Sequence, residues 1–414
     1  MKQKNINIKT IVIFCAILFF FLQTSLEPCT VAVVSGKATK DGRPLLWKNR
    51  DASFVANKLV SLSGKKYGFI GLVNAGFKDI DQIWAGCNTV GFAIINSASS
   101  DLAKDQMGMR DNGRIMMQAL GECADVSDFE KLLRTTSGKR LVGANFGVID
   151  AKGNACFFET SASSFTKFDA NDPLVAPQGY IIRTNYACTS PVKNGGGGYI
   201  RFERASKLFQ AASAEKRLHI KFILQEVARD LVNEKLHSNP LQSTILFDSS
   251  NPLYINTNDT INRNSTVSVA LFQGAPSPKK PYLATMWIIL GQPVCSVALP
   301  IWAHGGVVPE VLGGNETAPL NDLSRALVSY VYPDQRGHMN QYLNVNRFLH
   351  YKGEGFLKKL ITIENHVIEQ TEKKWSQWEK KQPTEEEVND FTKEIADWTY
   401  QALKKTFQDI TTFN

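Results

Sequence analysis

With 414 residues, 43% hydrophobic and 21% charged, the chain has the composition of a globular protein long enough for one large domain or two ordinary ones, which excludes a disordered chain. Its net charge of +8 and pI of about 9.0 raise the question of nucleic acid. The basic residues, however, are scattered and paired with acids, as in Glu372-Lys373-Lys374 and Glu379-Lys380-Lys381, and neither zinc-finger spacing nor a basic region running into heptads occurs. A solvated surface is expected, with no nucleic-acid partner.

Met1 to Ser25 has the form of a secretory signal: Lys2, Lys4 and Lys9, then an apolar run from Ile11 to Leu22, then polar Gln23-Thr24-Ser25. The run is short for a membrane span, and stable membrane insertion after processing is not expected. An uncleaved anchor and a lipid-bearing Cys29 are the alternatives; Glu27 and Pro28 stand where a lipobox carries small residues. The chain divides into a signal (1–25), a short pro-segment (26–28), a main domain (29–350) and a helical extension packed on it (351–414), in a secreted, periplasmic or cell-envelope protein.

Cys29 opens the folded part. If everything before it is removed, its thiol and a free α-amine, with a reference pKa near ~8, lie on one residue, which then supplies both nucleophile and base. Pro28 disfavours direct signal-peptidase cleavage at that bond, so a second cut is expected after one near Ser25. Cys15 lies in the leader, and Cys87, Cys156, Cys188 and Cys295 read as small buried hydrophobes.

Thr30 to Ser35 and Pro44 to Lys48 read as strands joined by the turn Asp41-Gly42-Arg43-Pro44. Asn49-Arg50-Asp51 comes after the second strand, so hairpin geometry alone brings Lys48, Arg50 or Asp51 towards Cys29. Further strands are expected at Tyr67–Val73, Gln82–Cys87 and Gly91–Ser97, then helices at Arg110–Leu120 and Val126–Thr135, the second capped by Ser127. A hairpin over 146–160 and a strand at Tyr180–Tyr186 precede the loop Asn194–Gly198 and helices at Arg201–Ala214 and Lys221–Val232. Strands return at Thr244–Phe247, Thr266–Phe272, Tyr282–Ile289 and Val294–Leu299. The last third is helical at Arg325–Tyr330, Gly355–Lys374 and Thr384–Phe407, with a capping-box spacing at Thr384 and Glu387 and with Trp375, Trp378 and Trp398 as core anchors. This order predicts an α+β fold of antiparallel sheets between helical layers rather than a doubly wound one.

The segments Cys29-Thr30, 41–51 and Arg183-Thr184-Asn185-Tyr186 together resemble the N-terminal-nucleophile (Ntn) hydrolases, most of all the acyl-CoA:6-aminopenicillanic-acid acyltransferase (isopenicillin N acyltransferase-like) family, with choloylglycine hydrolases and penicillin V acylases as cousins. The resemblance runs from Cys29 to about residue 300. It implies an αββα sandwich and a secreted cysteine amidohydrolase forming a thioester on Cys29, with acyl transfer to amines and autocatalytic maturation as extensions. It assigns Cys29 as nucleophile, Asp51 as holder of the α-amine and Lys48 where relatives often have arginine, Arg50 sharing that role. Asn96 and Asn185 are assigned to the oxyanion site, and Arg201 is the late active-site arginine with Arg204 as rival. A dipeptidase of the same nucleophile class and a non-catalytic ligand-binding envelope protein remain the alternatives. The partner implied is a small-molecule amide; a homo-oligomer is left open. No cofactor or metal is implied: the six histidines lack HExxH spacing, and His304, between Ala303 and Gly305-Gly306, reads as structural or pocket-lining.

Overall fold

The structure, a computed structural model, describes residues 28–102, 109–190, 192, 195–236, 253–334 and 336–411. Fifteen strands are found among them, numbered in chain order: β1 (Cys29–Val34), β2 (Leu45–Asp51), β3 (Asn57–Ser63), β4 (Gly68–Asn74), β5 (Ala85–Asn88), β6 (Ala93–Ala98), β7 (Ala144–Ile149), β8 (Ala155–Thr160), β9 (Phe165–Asp169), β10 (Tyr180–Arg183), β11 (Tyr254–Asn256), β12 (Thr266–Gln273), β13 (Thr285–Leu290), β14 (Leu299–Ile301) and β15 (Tyr342–Asn344). They form a six-stranded sheet in the order β10-β1-β2-β12-β13-β14, a seven-stranded meander from β3 to β9, and the small pair β11-β15. Neighbouring strands pair antiparallel throughout.

The two large sheets face one another, β1 and β2 lying across β6 and β7. Close approach is set by Gly147 on β7. A Cβ there would fall 2.8 Å from Leu46 Cδ1 of β2 and 3.0 Å from the Phe157 ring, so only glycine lets the layers meet. Helices α1 (Asn112–Glu122) and α2 (Val126–Thr135) cover the outer face of the meander, where Phe129 packs edge-on against Phe146 and Phe158 at 5.8 and 5.2 Å. The outer face of the six-stranded sheet is covered by α3 (Tyr199–Ala214), a π-helical segment (Phe222–Val227) and the C-terminal helices. Those are α4 (Pro319–Val331), α5 (Val345–His350), α6 (Phe356–Lys380), α7 (Glu385–Thr406) and the short α8 (Gln408–Thr411). Trp47 stacks on Phe209 of α3, and Trp302 meets Trp378 of α6 edge-on. The fold is thus α+β, two antiparallel sheets between helical layers.

The C-terminal helices are tied in by a buried charge pair. Arg229 forms a two-pronged bond to Glu364 of α6 (2.8 and 2.7 Å) and also donates to the carbonyls of Leu224, Pro293 and Ser296; Glu364 further accepts the Ala298 N–H. Satisfying nearly every polar atom is what makes such burial tolerable.

Several expected elements move. Asn49, Arg50 and Asp51 lie inside β2 rather than after it, because pairing with β1 and β12 continues to Asp51. The α2 cap is Asp125, whose side chain accepts the Asp128 N–H, not Ser127. Tyr282 and Val294 begin in 3-10 turns led by Pro281 and Pro293, which shorten β13 and β14. The expected 221–232 helix ends early, at Val227, and over Phe222–Val227 it is a π-helix. Trp398 is 40% exposed and stacks on His366, so it anchors no core; Cys188 is exposed rather than buried. The expected strand 244–247 and the signal 1–25 lie outside the described residues. The Thr384–Glu387 capping box forms in full at the start of α7.

Candidate active site

Strand alternation assembles the site. Cys29 pairs directly with Arg50, and Val31 with Lys48, so the Cys29 thiol shares the inner face of the hairpin with Lys48 and Arg50. Thr30, Asn49 and Asp51 take the opposite face, towards α3 and the 257–265 segment. Cys29 is 4% exposed. On the inner face Lys48 Nζ donates to Asn96 Oδ1 of β6 (2.7 Å) and to the Trp84 carbonyl (2.9 Å), bridging the sheets. Arg50 donates to Asn57 Oδ1 (2.5 Å) and Asn74 Oδ1 (2.9 Å), and its guanidinium lies 4.7 Å from the centre of the Trp84 ring.

Arg201, from the α3 side, and Asn185, whose segment lies against β6 and β7, converge on the Cys29 main chain. The Cys29 N–H donates to Asn185 Oδ1 at 2.8 Å, and Asn185 Nδ2 donates to the Ala98 carbonyl at 2.9 Å. Arg201 Nη1 donates to the Cys29 carbonyl (2.6 Å) and to Thr30 Oγ1 (2.8 Å), while its Nη2 donates to Asn185 Oδ1 (2.8 Å). Burial lowers the Arg201 pKa, opposed by the negative charge of Asp51 and of the Cys29 thiolate. Arg204, the rival, points elsewhere and pairs with Asp230 and Glu234. Arg201 owes its place to Gly198, which caps α3 at φ 85°; a Cβ there would sit 2.4 Å from Arg201 Nη2.

Asp51 makes two kinds of contact. Its N–H donates to the carbonyl of Pro28, the residue joined to Cys29, at 3.1 Å. Its carboxylate accepts from Thr266 Oγ1 (2.6 Å) and from Arg263 Nη1 (3.3 Å). Burial raises the Asp51 pKa; Arg263, Arg201 and the Thr266 hydroxyl hold it down in part. Arg263 and Thr266 were not expected from the sequence. They lie more than 200 residues from Asp51, and only the β12–β2 pairing brings them there.

The segment carrying Asn185 is fixed from three sides. Asn185 and Gly197 exchange backbone hydrogen bonds, Ser97 Oγ and Asn145 Nδ2 hold the Thr184 carbonyl, and Arg183 pairs with buried Glu159 at 2.7 Å. Burial pushes the Glu159 carboxyl up, but the Thr189 hydroxyl, Arg183 and the Cys188 and Thr189 N–H groups hold it below its ordinary value overall. A depressed carboxylate contributes stability that is fully present above about pH 4.3 and is lost as pH falls through its lower folded value. In melts between pH 3 and 6, Glu159→Gln therefore flattens the acid limb of the stability profile. It also strands Arg183, costing about 3–5 kcal/mol. An unchanged acid limb would refute this role.

Burial pushes the thiols of Cys87, Cys123 and Cys156 up to about 12. His304 Nε2 meets the Pro383 carbonyl at 3.4 Å and stands apart from Cys29 in the contacts it makes. Among the described residues no cluster of three or more His, Cys, Asp or Glu could hold a metal, and no helix is long and apolar enough to cross a membrane.

A cysteine at the first residue of a central strand, in a four-layer sandwich of two antiparallel sheets, is the class of architecture that fold and site define together. No protein-family model matches the chain, and no curated protein matches it in sequence. Solved structures similar to it include an N-acylethanolamine-hydrolyzing acid amidase ortholog from Caenorhabditis elegans (14% identity, TM-score 0.40, covering 63% of this chain and 100% of that one). Others are a conjugated bile acid hydrolase from Clostridium perfringens (13%, 0.38, 66% and 92%) and a penicillin V acylase from Agrobacterium tumefaciens (12%, 0.36, 66% and 86%). The architecture itself stands on the strand order and register of the two sheets.

Proposed function

We propose that the chain is a cysteine amidohydrolase of the Ntn type, secreted or held in the cell envelope, cleaving a linear non-peptide or N-acyl amide through a thioester on Cys29. The observation that carries this reading is the grip on the Cys29 main chain: its N–H on Asn185, its carbonyl on Arg201, and the Pro28 carbonyl on the Asp51 N–H.

In the uncut chain the Cys29 thiol attacks the Pro28 carbonyl carbon, whose oxygen the Asp51 N–H polarises. The C–N bond breaks as the C–S bond forms, and the nitrogen takes up a proton to become the α-amine. Water then hydrolyses the thioester and releases the preceding segment as a carboxylate. The exposed α-amine next takes the thiol proton, directly or through a water, with Asp51 orienting it and Arg201 and Lys48 favouring thiolate by charge. Attack on a substrate amide places an oxyanion for Asn185 Nδ2 and a backbone N–H near Asn96 to bind, each donor contributing about 3 kcal/mol. The amine leaves with the proton, and water, or an amine in the acyl-transfer variant, resolves the thioester.

The test is a panel of N-acyl amino acids, conjugated bile acids, penicillin V and dipeptides, combined with thiol labelling. Labelling is read in a Cys188→Ser background, because Cys188 is the exposed competitor. Hydrolysis of one N-acyl class with fast stoichiometric labelling of Cys29 is expected. Cleavage of dipeptides alone favours the dipeptidase reading, and labelling without turnover of anything favours a binding protein.

A further inference from the structure

A cleft of about 780 Å³ opens at the far end of β1 from Cys29. Ser35 at its wall is six residue steps along the chain from Cys29, about 20 Å in extended strand. Its walls carry Lys37, Lys40 and Lys216 together with Ser35, Asn171 and Gln178, and no aspartate or glutamate lines it among the described residues. None of the three lysines is in an ion pair with another described residue, whereas some lysines elsewhere are, as Lys152 with Asp125, Lys207 with Glu234 and Lys393 with Asp397.

One of the lysines is bonded at the cleft. Lys37 Nζ donates to the Asn171 carbonyl at 3.1 Å, and Asn171 is itself bonded to Ser35. Lys216 sits at φ 54°, a left-handed conformation that a lysine seldom adopts, just past the end of α3. Three ammonium groups around a concave, carboxylate-free surface create a positive field that attracts a compact multivalent anion. Lysine serves such ligands as a point charge, and hydroxyl and amide groups supply directional bonds.

We propose that this cleft is a second ligand site, for a phosphoryl-bearing anion. It owes nothing to Cys29 and stands or falls apart from the amidohydrolase reading. The ligand is a soluble phosphoester or the phosphate headgroup of a lipid surface; both present the same charge and oxygens.

The test uses the full chain and two probes, inorganic pyrophosphate by calorimetry and phosphatidylglycerol vesicles by sedimentation, at about 50 and 300 mM salt. Pyrophosphate is expected to bind, more weakly at the higher salt. The double variant Lys40→Glu with Lys216→Glu is expected to lose about tenfold or more in affinity, the scale of removing two charge contacts. Lys65→Glu with Lys66→Glu, an equal charge change on the exposed β3–β4 turn, should leave binding within about twofold: β4 and β9, which leads into the cleft, are five strand spacings apart in the sheet, about 24 Å, and exposed charges beyond a Debye length are screened. Pyrophosphate binding without vesicle binding assigns the soluble source. Vesicle binding that the Lys40 and Lys216 changes abolish assigns the headgroup. Binding of neither probe at low salt overturns the proposal, as does equal loss in the Lys65 and Lys66 control.

Discussion

Cys29→Ala is expected to reduce amide turnover by about 10⁶-fold, the scale seen when a nucleophile is removed and only binding remains. The change trims one buried atom group from β1, at a cost on the order of 1 kcal/mol, so the protein keeps its fold. If maturation uses the same thiol, the variant also retains the segment ending in Pro28, which intact mass and N-terminal sequencing detect. Retention of the segment in Cys29→Ala and its slow loss in Cys29→Ser would assign the cut to Cys29. Removal of the segment from Cys29→Ala would assign it to another protease and leave the amidase mechanism standing. Turnover by Cys29→Ala near that of the parent would end the thiol mechanism altogether.

Arg201→Lys is the second large effect. The guanidinium makes three bonds to three acceptors at 2.6 to 2.8 Å in a fixed fork, and a single ammonium cannot reproduce that geometry. A fall in kcat/KM of about 10² to 10³ is expected, the scale of one lost preorganised donor. Cys29 labelling should also require higher pH, because a positive charge beside the thiolate has become less well placed. Arg204→Lys serves as the comparison. Its partners Asp230 and Glu234 lie away from Cys29, and activity is expected to stay within about threefold. Equal losses in the two variants would mean that α3, rather than the Arg201 fork, is what activity depends on.

Much of this was legible where the chemistry is local. The β-branched run after Cys29 and the Asp-Gly-Arg-Pro turn specify a hairpin, and a hairpin brings Arg50 and Asp51 back to Cys29. Helices α2 and α7 are readable from their apolar periodicity, although the α2 cap falls on Asp125 rather than Ser127, both being competent caps. The parts that stayed hidden depend on pairings between distant segments. Arg263 and Thr266 reach Asp51 only through β12, and Glu159 reaches Arg183 only because the ends of β8 and β10 meet across the two facing sheets. Strands β3 and β9 carry alternating or exposed polar residues, so no apolar run announces them. The choice between Arg201 and Arg204 turns on which side of α3 faces β1, and both residues sit in one helical turn whose amphipathicity is weak.

The face alternation of β2 makes the site sensitive to length rather than only to residue type. Insertions in the Lys37–Gly42 connection leave the pairing of Cys29 with Arg50 intact. A single residue inserted or deleted between Leu45 and Arg50 inverts the parity of the rest of the strand: the cations turn towards α3 and Asp51 turns inward, or the strand must bulge to absorb the change. The hairpin is a ruler read in whole two-residue steps, so indel scanning across 36–51 should show a permissive turn beside a strand that accepts no odd change in length.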